Sequence, residues 1–260
     1  MKSSESLLII KNLEKQFTYK TRLGLNEILH AVKPCSFEVK AKQTLAIIGE
    51  NGSGKSTLAK MIVGMVEPTA GEISIGDKVL EFGDYSVRSQ LIRMIYQDPA
   101  ASLNPQQRVG EILDMTLELN TNFEKKERLF LIQKTLKQVG LLAEHAQYYP
   151  SMLAAGQKQR VAMARAIILQ PMVIIADEPL ASLDMPIRAQ IINLMLELQE
   201  KEDITFIYVT QDIEIMKHIS DYVVVMHEGE VIELGTLDEI VHKPQHPITQ
   251  KLMNFEVPSL

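Results

Sequence analysis

The 260-residue sequence contains a single cysteine, Cys35, and no apolar run long enough to cross a bilayer. One cysteine excludes disulfides within the chain and argues against a thiolate-rich metal site. We interpret Cys35 as a small buried hydrophobe in a reducing compartment. The apolar run at residues 7–10 is shorter than a signal-peptide core. We therefore expect a cytosolic chain that acts at a membrane only through a partner.

An excess of positive charge is also missing. The 27 Lys and Arg residues are outnumbered by 33 Asp and Glu residues, which gives a net charge of -6. This balance provides no general attraction for nucleic acid or anionic lipid. Hydrophobic residues make up 46% and charged residues 23% of the chain, an ordinary composition for a globular protein with a core. The sequence shows no internal repeat and no low-complexity tract, and its length suits one large domain or two small ones.

Short apolar runs separated by helical patterns predict an α/β fold. The runs are residues 7–10, 45–48, 173–176, 206–209 and 222–226. Unbroken runs of this length are typical of parallel strands covered on both faces. Apolar residues recur at helical spacing at Leu58, Met61, Ile62 and Met65, and again at Ile187, Ile191, Leu194 and Leu198.

Other segments predict different structure. Residues 104–145 contain no strand run, and two helical stripes predict a helical insertion there, with Gly140 in a position that ends the second helix. The stripes are Val109, Ile112, Leu113 and Leu117, and then Leu129, Ile132, Leu136 and Val139. Antiparallel β structure is expected near each end, with a turn at Glu228-Gly229. We expect an irregular tail with one short helix over residues 242–260.

The segment GENGSGKST follows the apolar run at residues 45–48 and precedes a helical pattern. Its spacing is that of a phosphate-binding P-loop in the required strand–loop–helix context. Glycines let backbone N–H groups surround a phosphate, Lys55 would reach the β- and γ-phosphates, and Ser56 would bind Mg²⁺. The alternative is a Gly/Ser loop with a chance lysine. The predicted ATP-binding residues here are Gly49, Glu50, Asn51, Gly52, Ser53, Gly54, Lys55, Ser56 and Thr57.

Two carboxylates, Asp177 and Glu178, end another buried run. Beside a P-loop, the first is suited to hold Mg²⁺ and the second to polarise an attacking water. The alternative is a solvated acidic pair in the turn before Pro179.

A helix entrance at LAAGQ, residues 153–157, resembles an anion-binding helix start with part of its chemistry removed. Gly156 suits a close ligand approach, whereas Ala154 and Ala155 are poor capping residues.

Together these motifs resemble those of the ABC-transporter ATPases, from about residue 7 to about residue 250. The resemblance implies a P-loop ABC ATPase core with an antiparallel β subdomain and a helical insertion subdomain. It also implies the following roles: adenine stacking by Phe17, Mg²⁺ and γ-phosphate sensing by Gln97, Mg²⁺ binding by Ser56, Gln97 and Asp177, catalysis by Glu178 and Gln211, and an interface acid at Asp184 of the LASLD segment.

In that family two ATPase domains dimerise head to tail, and each signature motif completes the partner's ATP site. Here Ala154 and Ala155 replace the serine and the first glycine of LSGGQ, whereas Gly156 and Gln157 remain. Gln211 stands where the family has a histidine, and the spacing of His218 and His227 does not suit them as substitutes. We predict a heterodimer with a more regular ATPase, because each ATP site would then contain only part of these changes.

The resemblance is closer to the oligopeptide and dipeptide importer group, and within it to the Sap-type branch. The resemblance to the importer group is carried by YQDPAASLNPQQRVGEIL and HPITQKLM, and the resemblance to the branch by LAAGQKQR, LASLDM, INLMLELQEK, YVTQ and MKHISD. This implies a peripheral subunit on the cytoplasmic face of a bacterial inner membrane, with two permeases and, indirectly, a periplasmic binding protein. The implied cargo is peptide, of the antimicrobial-peptide uptake type. The segment around residues 97–108 is expected to contact the permease.

The resemblance implies three segments: a core at residues 1–96 and 158–235, a helical subdomain at 97–157, and a tail at 236–260. Two other functions stay open. One is a soluble ABC ATPase of DNA repair or translation, which the single cassette and acidic charge disfavour. The other is a weakly or non-hydrolysing nucleotide-binding regulatory subunit, which the three altered residues suggest and Glu178 disfavours.

Overall fold

The computed structural model describes residues 6–20, 24–98, 102–181 and 183–253. The strands are β1 Ser6–Lys20, β2 Asn26–Lys40, β3 Thr44–Ile48, β4 Ala70–Ile75, β5 Lys78–Val79, β6 Ile92–Ile95, β7 Val173–Asp177, β8 Thr205–Val209, β9 Tyr222–His227 and β10 Glu230–Thr236. The α-helices are α1 Lys55–Val63, α2 Tyr85–Leu91, α3 Val109–Asn120, α4 Lys125–Gln138, α5 Ala155–Ile167, α6 Met185–Glu202, α7 Ile213–Ile219, α8 Leu237–His242 and α9 Pro247–Leu252. Two 3₁₀ helices cover Ala143–Gln147 and Pro150–Met152.

The chain divides into two compact units. The first comprises the described residues of Met1–Tyr85 and Thr205–Leu260, and the second is Ser86–Ile204. These bounds reflect compactness and differ from the predicted core, helical and tail segments, which therefore stay a prediction.

An antiparallel sheet forms part of the first unit, with strand order β2-β1-β4-β5. The prediction that residues 7–10 belong to a parallel sheet covered on both faces was wrong, whereas the expected antiparallel structure near the N-terminus is confirmed. Leu8 and Ile10 are buried, whereas Leu7 and Ile9, which alternate with them along the strand, are only half-buried. This alternation is typical of a strand with one face on the core.

A parallel ladder also belongs to the first unit. Strand β3 pairs in parallel with both β8 and β9, and all five of its residues are buried, as predicted. Strand β10 returns antiparallel to β9 through the predicted turn, where Glu228 has φ 46° and Gly229 has φ 77°. Side chains from β3, β9, α7 and α8 and Met253 form one core cluster: Ala46, Ile48, Met216, Val223, Val225, Ile240 and Met253.

The second unit contains the parallel pair β6 and β7 and the predicted helical insertion, α3 with α4. Gly140 follows α4 with φ 71° and donates its N–H to the carbonyl of Lys137, so its predicted helix-ending role is confirmed. Two residues assigned to apolar helical stripes do not lie on a buried helix face, so the prediction was wrong for them. Leu129 is 50% exposed. Met65 is 51% exposed and lies beyond the end of α1.

The predicted short helix of the tail is confirmed as α9. Within the described ranges, no helix combines the length and apolar character that a membrane crossing requires.

Candidate functional site

The loop after β3 requires glycine at two positions for steric reasons. Gly49 has φ 145°, and a Cβ added there would lie 2.1 Å from the carbonyl oxygen of Met226. Gly54 has φ 101°, and its added Cβ would lie 2.4 Å from the carbonyl oxygen of Ala31. Any side chain at either position would clash with backbone. Gly52, with φ 80°, has nothing within 4 Å of the same position, so this part of the loop stays open to a ligand.

Lys55 begins α1 and folds back over the loop. Its ammonium donates hydrogen bonds to the carbonyl oxygens of Gly49 and Glu50, both at 2.8 Å, and the residue is 6% exposed. A helix N-terminus already attracts anions through its N–H groups and its dipole. A buried ammonium beside it concentrates positive charge at this point, which suits a polyphosphate.

The other loop residues are placed around this centre. The N–H of Ser53 donates to the carbonyl of Glu50 at 3.2 Å, and the carbonyl of Ser53 accepts from the N–H of Gly229 at 3.1 Å. Asn51 is exposed, and Ser56 and Thr57 lie in the first turn of α1.

Gln211 lies close to the loop through strand pairing. Strand β8 runs parallel to β3 with Val209 opposite Ile47, and the N–H of Thr210 donates to the carbonyl of Ile47 at 3.1 Å. Gln211 and Gly49 each follow their paired residue by two positions. The structure therefore brings Gln211, which is exposed, to the same sheet edge as the P-loop.

Phe17 lies on β1 and is 40% exposed. The ammonium of Lys15 lies 4.9 Å from the ring centroid, within cation–π range. An accessible aromatic ring is compatible with the predicted adenine contact.

In the second unit, Asp177 ends β7 and is 9% exposed. Glu178 follows with φ 44°, a left-handed conformation that is unfavourable for a residue with a side chain. Such strain costs on the order of 1–3 kcal/mol and is concentrated at functional sites. Gln97 donates from its amide Nε2 to Oε2 of Glu178 at 3.3 Å. The structure thus brings together two predicted site residues that are 81 positions apart.

The LAAGQ segment begins α5, as the sequence predicted. Ala154 is the N-cap residue with φ -66° and ψ 160°, and its own side chain makes no capping hydrogen bond to the first turn. Oε1 of Gln157 accepts the N–H of Ala154 at 3.0 Å. Gly156 packs closely on α6, since a Cβ added to it would lie 2.9 Å from Cγ2 of Ile187.

Asp184 is the N-cap of α6, and its Oδ1 accepts from the N–H of Ile187 at 3.1 Å. Ser182 of the same LASLD segment lies outside the described residues. Arg188 donates to the carbonyls of Leu183 at 2.7 Å and Ala181 at 3.2 Å, and so holds this turn.

Several residues around the site carried no signal in the sequence. His145 lies 3.2 Å from the amide of Gln157, and Arg165 of α5 donates to the carbonyl and hydroxyl of Ser102 at 2.6 and 3.0 Å. Burial lowers the pKa of Arg165. An isolated histidine or arginine belongs to no motif of fixed spacing, so these two contacts can be seen only in the tertiary structure. Part of the predicted permease segment, residues 99–101, lies outside the described residues.

A family model described as "ABC transporter" matches residues 32–181. The chain belongs to the ABC transporter family. The family's ATPase domain covers the P-loop and the acidic pair, and the chain is an ATP-binding ATPase of this family.

Curated relatives agree with this membership. The peptide transport system ATP-binding protein SapF of Salmonella typhimurium is 59% identical over 96% of this chain and 93% of its own length. The putrescine export system ATP-binding protein SapF of Escherichia coli K12 has the same identity and coverage. The dipeptide transport ATP-binding protein DppF of Escherichia coli K12 is 38% identical over 96% of this chain and 76% of its own length.

Solved ATP-binding cassettes share the fold of this family. The dimeric cassette MJ0796, in a post-hydrolysis state with ADP and Pi, matches with a TM-score of 0.77 and 30% identity over 89% of this chain and 99% of that chain. CbiO1 from Clostridium perfringens, part of the transporter complex CbiONQ, also matches with a TM-score of 0.77 and 30% identity. This match covers 98% of this chain and 96% of that chain. The predicted fold class is confirmed.

Proposed function

We propose that this ABC ATPase is the ATP-binding subunit of an importer that couples ATP hydrolysis to peptide transport across a bacterial inner membrane. The observation that carries the proposal is the 59% identity, over 96% of the chain, to a peptide transport system ATP-binding protein. The dipeptide transport relative, at lower identity, is named for a related function.

ATP is held by the P-loop residues 49–57, with Phe17 against the adenine. Lys55 gives up its loop carbonyl contacts and places its ammonium on the phosphates. Mg²⁺ would be held by Ser56, Gln97 and, through water, Asp177. A hydroxyl, an amide oxygen and a carboxylate are the oxygen ligands that Mg²⁺ takes, together with waters and substrate phosphates.

Glu178 acts on the attacking water, and its strained backbone and the Gln97 hydrogen bond support this role by fixing the carboxylate. Gln211 contacts the γ-phosphate as a neutral hydrogen-bond donor. Its amide does not ionise at neutral pH, so it cannot act as an acid or a base. Hydrolysis at this chain's own P-loop then depends on Glu178 alone as base.

The signature residues Ala154, Gly156 and Gln157 and the interface acid Asp184 act on ATP held by a second ABC ATPase subunit. The dimeric cassette among the solved relatives supports a two-domain assembly. Loss of one hydrogen bond to a charged phosphate is worth about 1.5–3 kcal/mol. The site to which this chain contributes its signature is therefore weakened, and the isolated chain hydrolyses ATP slowly. Turnover by the purified chain at the rate of a complete transporter would contradict the heterodimer.

The remaining partners are two permease subunits and, indirectly, a periplasmic binding protein, with this chain peripheral on the cytoplasmic face. The test is to tag the chain, purify it from gently solubilised host membranes, and identify what accompanies it by mass spectrometry. Two multi-span permeases and a second ATPase support the proposal. Recovery of the chain alone from the soluble fraction overturns it.

A second cargo has its own support, since a relative of equal identity is named for putrescine export. The purified complex would be reconstituted in proteoliposomes, with radiolabelled peptide or putrescine supplied separately on each side. ATP-driven movement of peptide toward the ATPase side supports the importer. ATP-driven movement of putrescine away from that side supports the alternative.

A further inference from the structure

Lys15 and Phe17 stand two positions apart on β1, the spacing that puts side chains on the same side of a strand. The ammonium of Lys15 lies over the ring of Phe17, 4.9 Å from its centroid. The same ammonium donates a hydrogen bond to the carbonyl oxygen of Glu67 at 2.7 Å. One face of the ring is therefore covered by a cation that has a second partner in the backbone.

The backbone near Glu67 is itself fixed to β1. The N–H of Thr69 donates to the carbonyl of Glu14 at 2.8 Å, and the N–H of Gln16 donates to the hydroxyl of Thr69 at 2.9 Å. The two strand residues in these bonds flank Lys15, and the bonds hold the segment that follows α1, the helix that begins at the P-loop. The Glu67 carbonyl is thus a fixed anchor, which places the ammonium independently of the ring.

Core packing contributes little to the orientation of the Phe17 ring. Phe17 is 40% exposed, and Leu29, its partner opposite on β2, is 54% exposed. An exposed side chain loses rotamer freedom when a ligand packs on it, and this loss subtracts from affinity. A cation held over one face of the ring restricts the ring before the ligand arrives. It also leaves the opposite face for a planar base to stack in the offset arrangement that aromatic pairs prefer.

We propose that Lys15 is a positioning residue for nucleotide binding: it orients the Phe17 ring and directs the adenine to the face opposite its ammonium. Its effect on ATP passes through the ring, so the effect depends on the base and not on the phosphates. The inference rests on the proposed contact between Phe17 and adenine.

The test compares two ligands by isothermal titration calorimetry with Mg²⁺ present throughout. One is the non-hydrolysable ATP analogue adenylyl imidodiphosphate, and the other is inorganic tripolyphosphate, which has no base. Lys15→Met removes the charge and the hydrogen-bond donor but keeps an unbranched stem, whereas Lys15→Arg keeps a cation with N–H donors. Lys11→Met is the matched control, because it removes the same charge from an exposed position of the same strand. Phe17→Leu removes the ring, and thermal unfolding establishes first that each variant is folded.

Lys15→Met should weaken binding of the adenine analogue about two- to fivefold, the contribution expected of one cation–π contact, and leave tripolyphosphate binding unchanged. Lys15→Arg and Lys11→Met should keep the wild-type ratio of the two Kd values. In the Phe17→Leu background, Lys15→Met should add no further loss, because the ring through which it acts is gone. An equal loss for both ligands, or a loss that persists in that background, would overturn the proposal.

Failure of this inference can be told apart from failure of the proposed function. If Phe17→Leu binds the analogue as tightly as the wild-type chain, the adenine contact of Phe17 is wrong, and this inference falls with it. If Phe17→Leu weakens binding but Lys15→Met does not, only the role of Lys15 is overturned. The contact itself has a readout without nucleotide, since the ring current of Phe17 should shift the ε protons of Lys15 upfield in NMR spectra. Unshifted protons in the wild-type chain would also overturn the proposal.

Discussion

Ala154→Ser should stabilise the chain. The N-cap of α5 has the backbone conformation of a capped helix, but alanine has no side-chain oxygen to accept a hydrogen bond from the first turn. Helix α8 shows the missing contact. Thr236 has φ -64° and ψ 157°, nearly the angles of Ala154, and its hydroxyl accepts from the N–H of Glu239 at 3.3 Å while Oε2 of Glu239 accepts from the N–H of Thr236 at 2.8 Å. At Ala154 only the second of these contacts exists, supplied by Gln157. A serine would complete the pair.

The expected gain in the free energy of unfolding is about 1 kcal/mol, the usual difference between serine and alanine at an N-cap. For a chain of this size that corresponds to about 2–4 °C in Tm. Chemical denaturation and thermal unfolding would measure it. The matched control is Ala155→Ser, one residue into the helix, where a hydroxyl cannot cap the first turn and no gain is expected. Equal effects at both positions would show that the gain does not come from capping the first turn.

The same substitution has a functional consequence if the signature acts in trans. A serine hydroxyl would restore one donor to a charged phosphate, which is worth about 1.5–3 kcal/mol. At the partner's ATP site this predicts a rise in kcat/KM of roughly 10- to 150-fold. Steady-state ATPase kinetics of the assembled complex, with the partner's own catalytic glutamate intact, would show it. No change in kcat/KM would argue against contact between Ala154 and the phosphate.

Three further predictions follow from other contacts. Glu178→Gln should abolish turnover and trap an ATP-bound dimer, which gel filtration with ATP would detect; turnover at the wild-type rate would show that the base is elsewhere. Gly156→Ala should destabilise the chain, because overpacking against Ile187 costs about 1–3 kcal/mol whereas the gain in helix propensity is only about 1 kcal/mol. Adding Ile187→Ala should recover part of the lost stability in the unfolding free energy. Strictly additive effects of the two substitutions would contradict the contact between these residues. Burial raises the pKa of the Cys35 thiol to about 11, so at pH 8 the native thiol stays protonated; alkylation by iodoacetamide should be slow until denaturant unfolds the chain, and equal rates before and after unfolding would refute this.

Much of the fold could be predicted from the sequence because its signals are local. The apolar runs at β3, β7, β8 and β9 are buried on both faces, and such burial demands unbroken hydrophobicity. The turn at Glu228-Gly229 needs positive φ at two adjacent positions, and glycine meets that need at the second of them. Strand β2 and the pair β4 and β5 carried no such pattern, because one of their faces is exposed or their length is short.

The P-loop and the acidic pair were equally readable, since each requires fixed residue types at fixed spacing within one segment. Residue spacing alone indicated that Gly49 and Gly54 are needed, but the physical reason appears only in the structure. Their neighbours are the carbonyls of Met226 and Ala31, which the chain brings from distant strands.

Residue types and their spacing along the chain are enough to identify the chemical groups that this protein carries: a phosphate loop, two carboxylates at a strand end, and a signature motif with two alanines. The contacts that hold those groups in place become visible only in the folded chain. The hydrogen bond from Gln97 to Glu178 joins residues 81 positions apart, and Gln157 meets His145 across a turn that has no characteristic sequence pattern. Such contacts depend on how separate elements pack, and packing leaves no fixed spacing in the chain because many sequences can bring two side chains to the same distance.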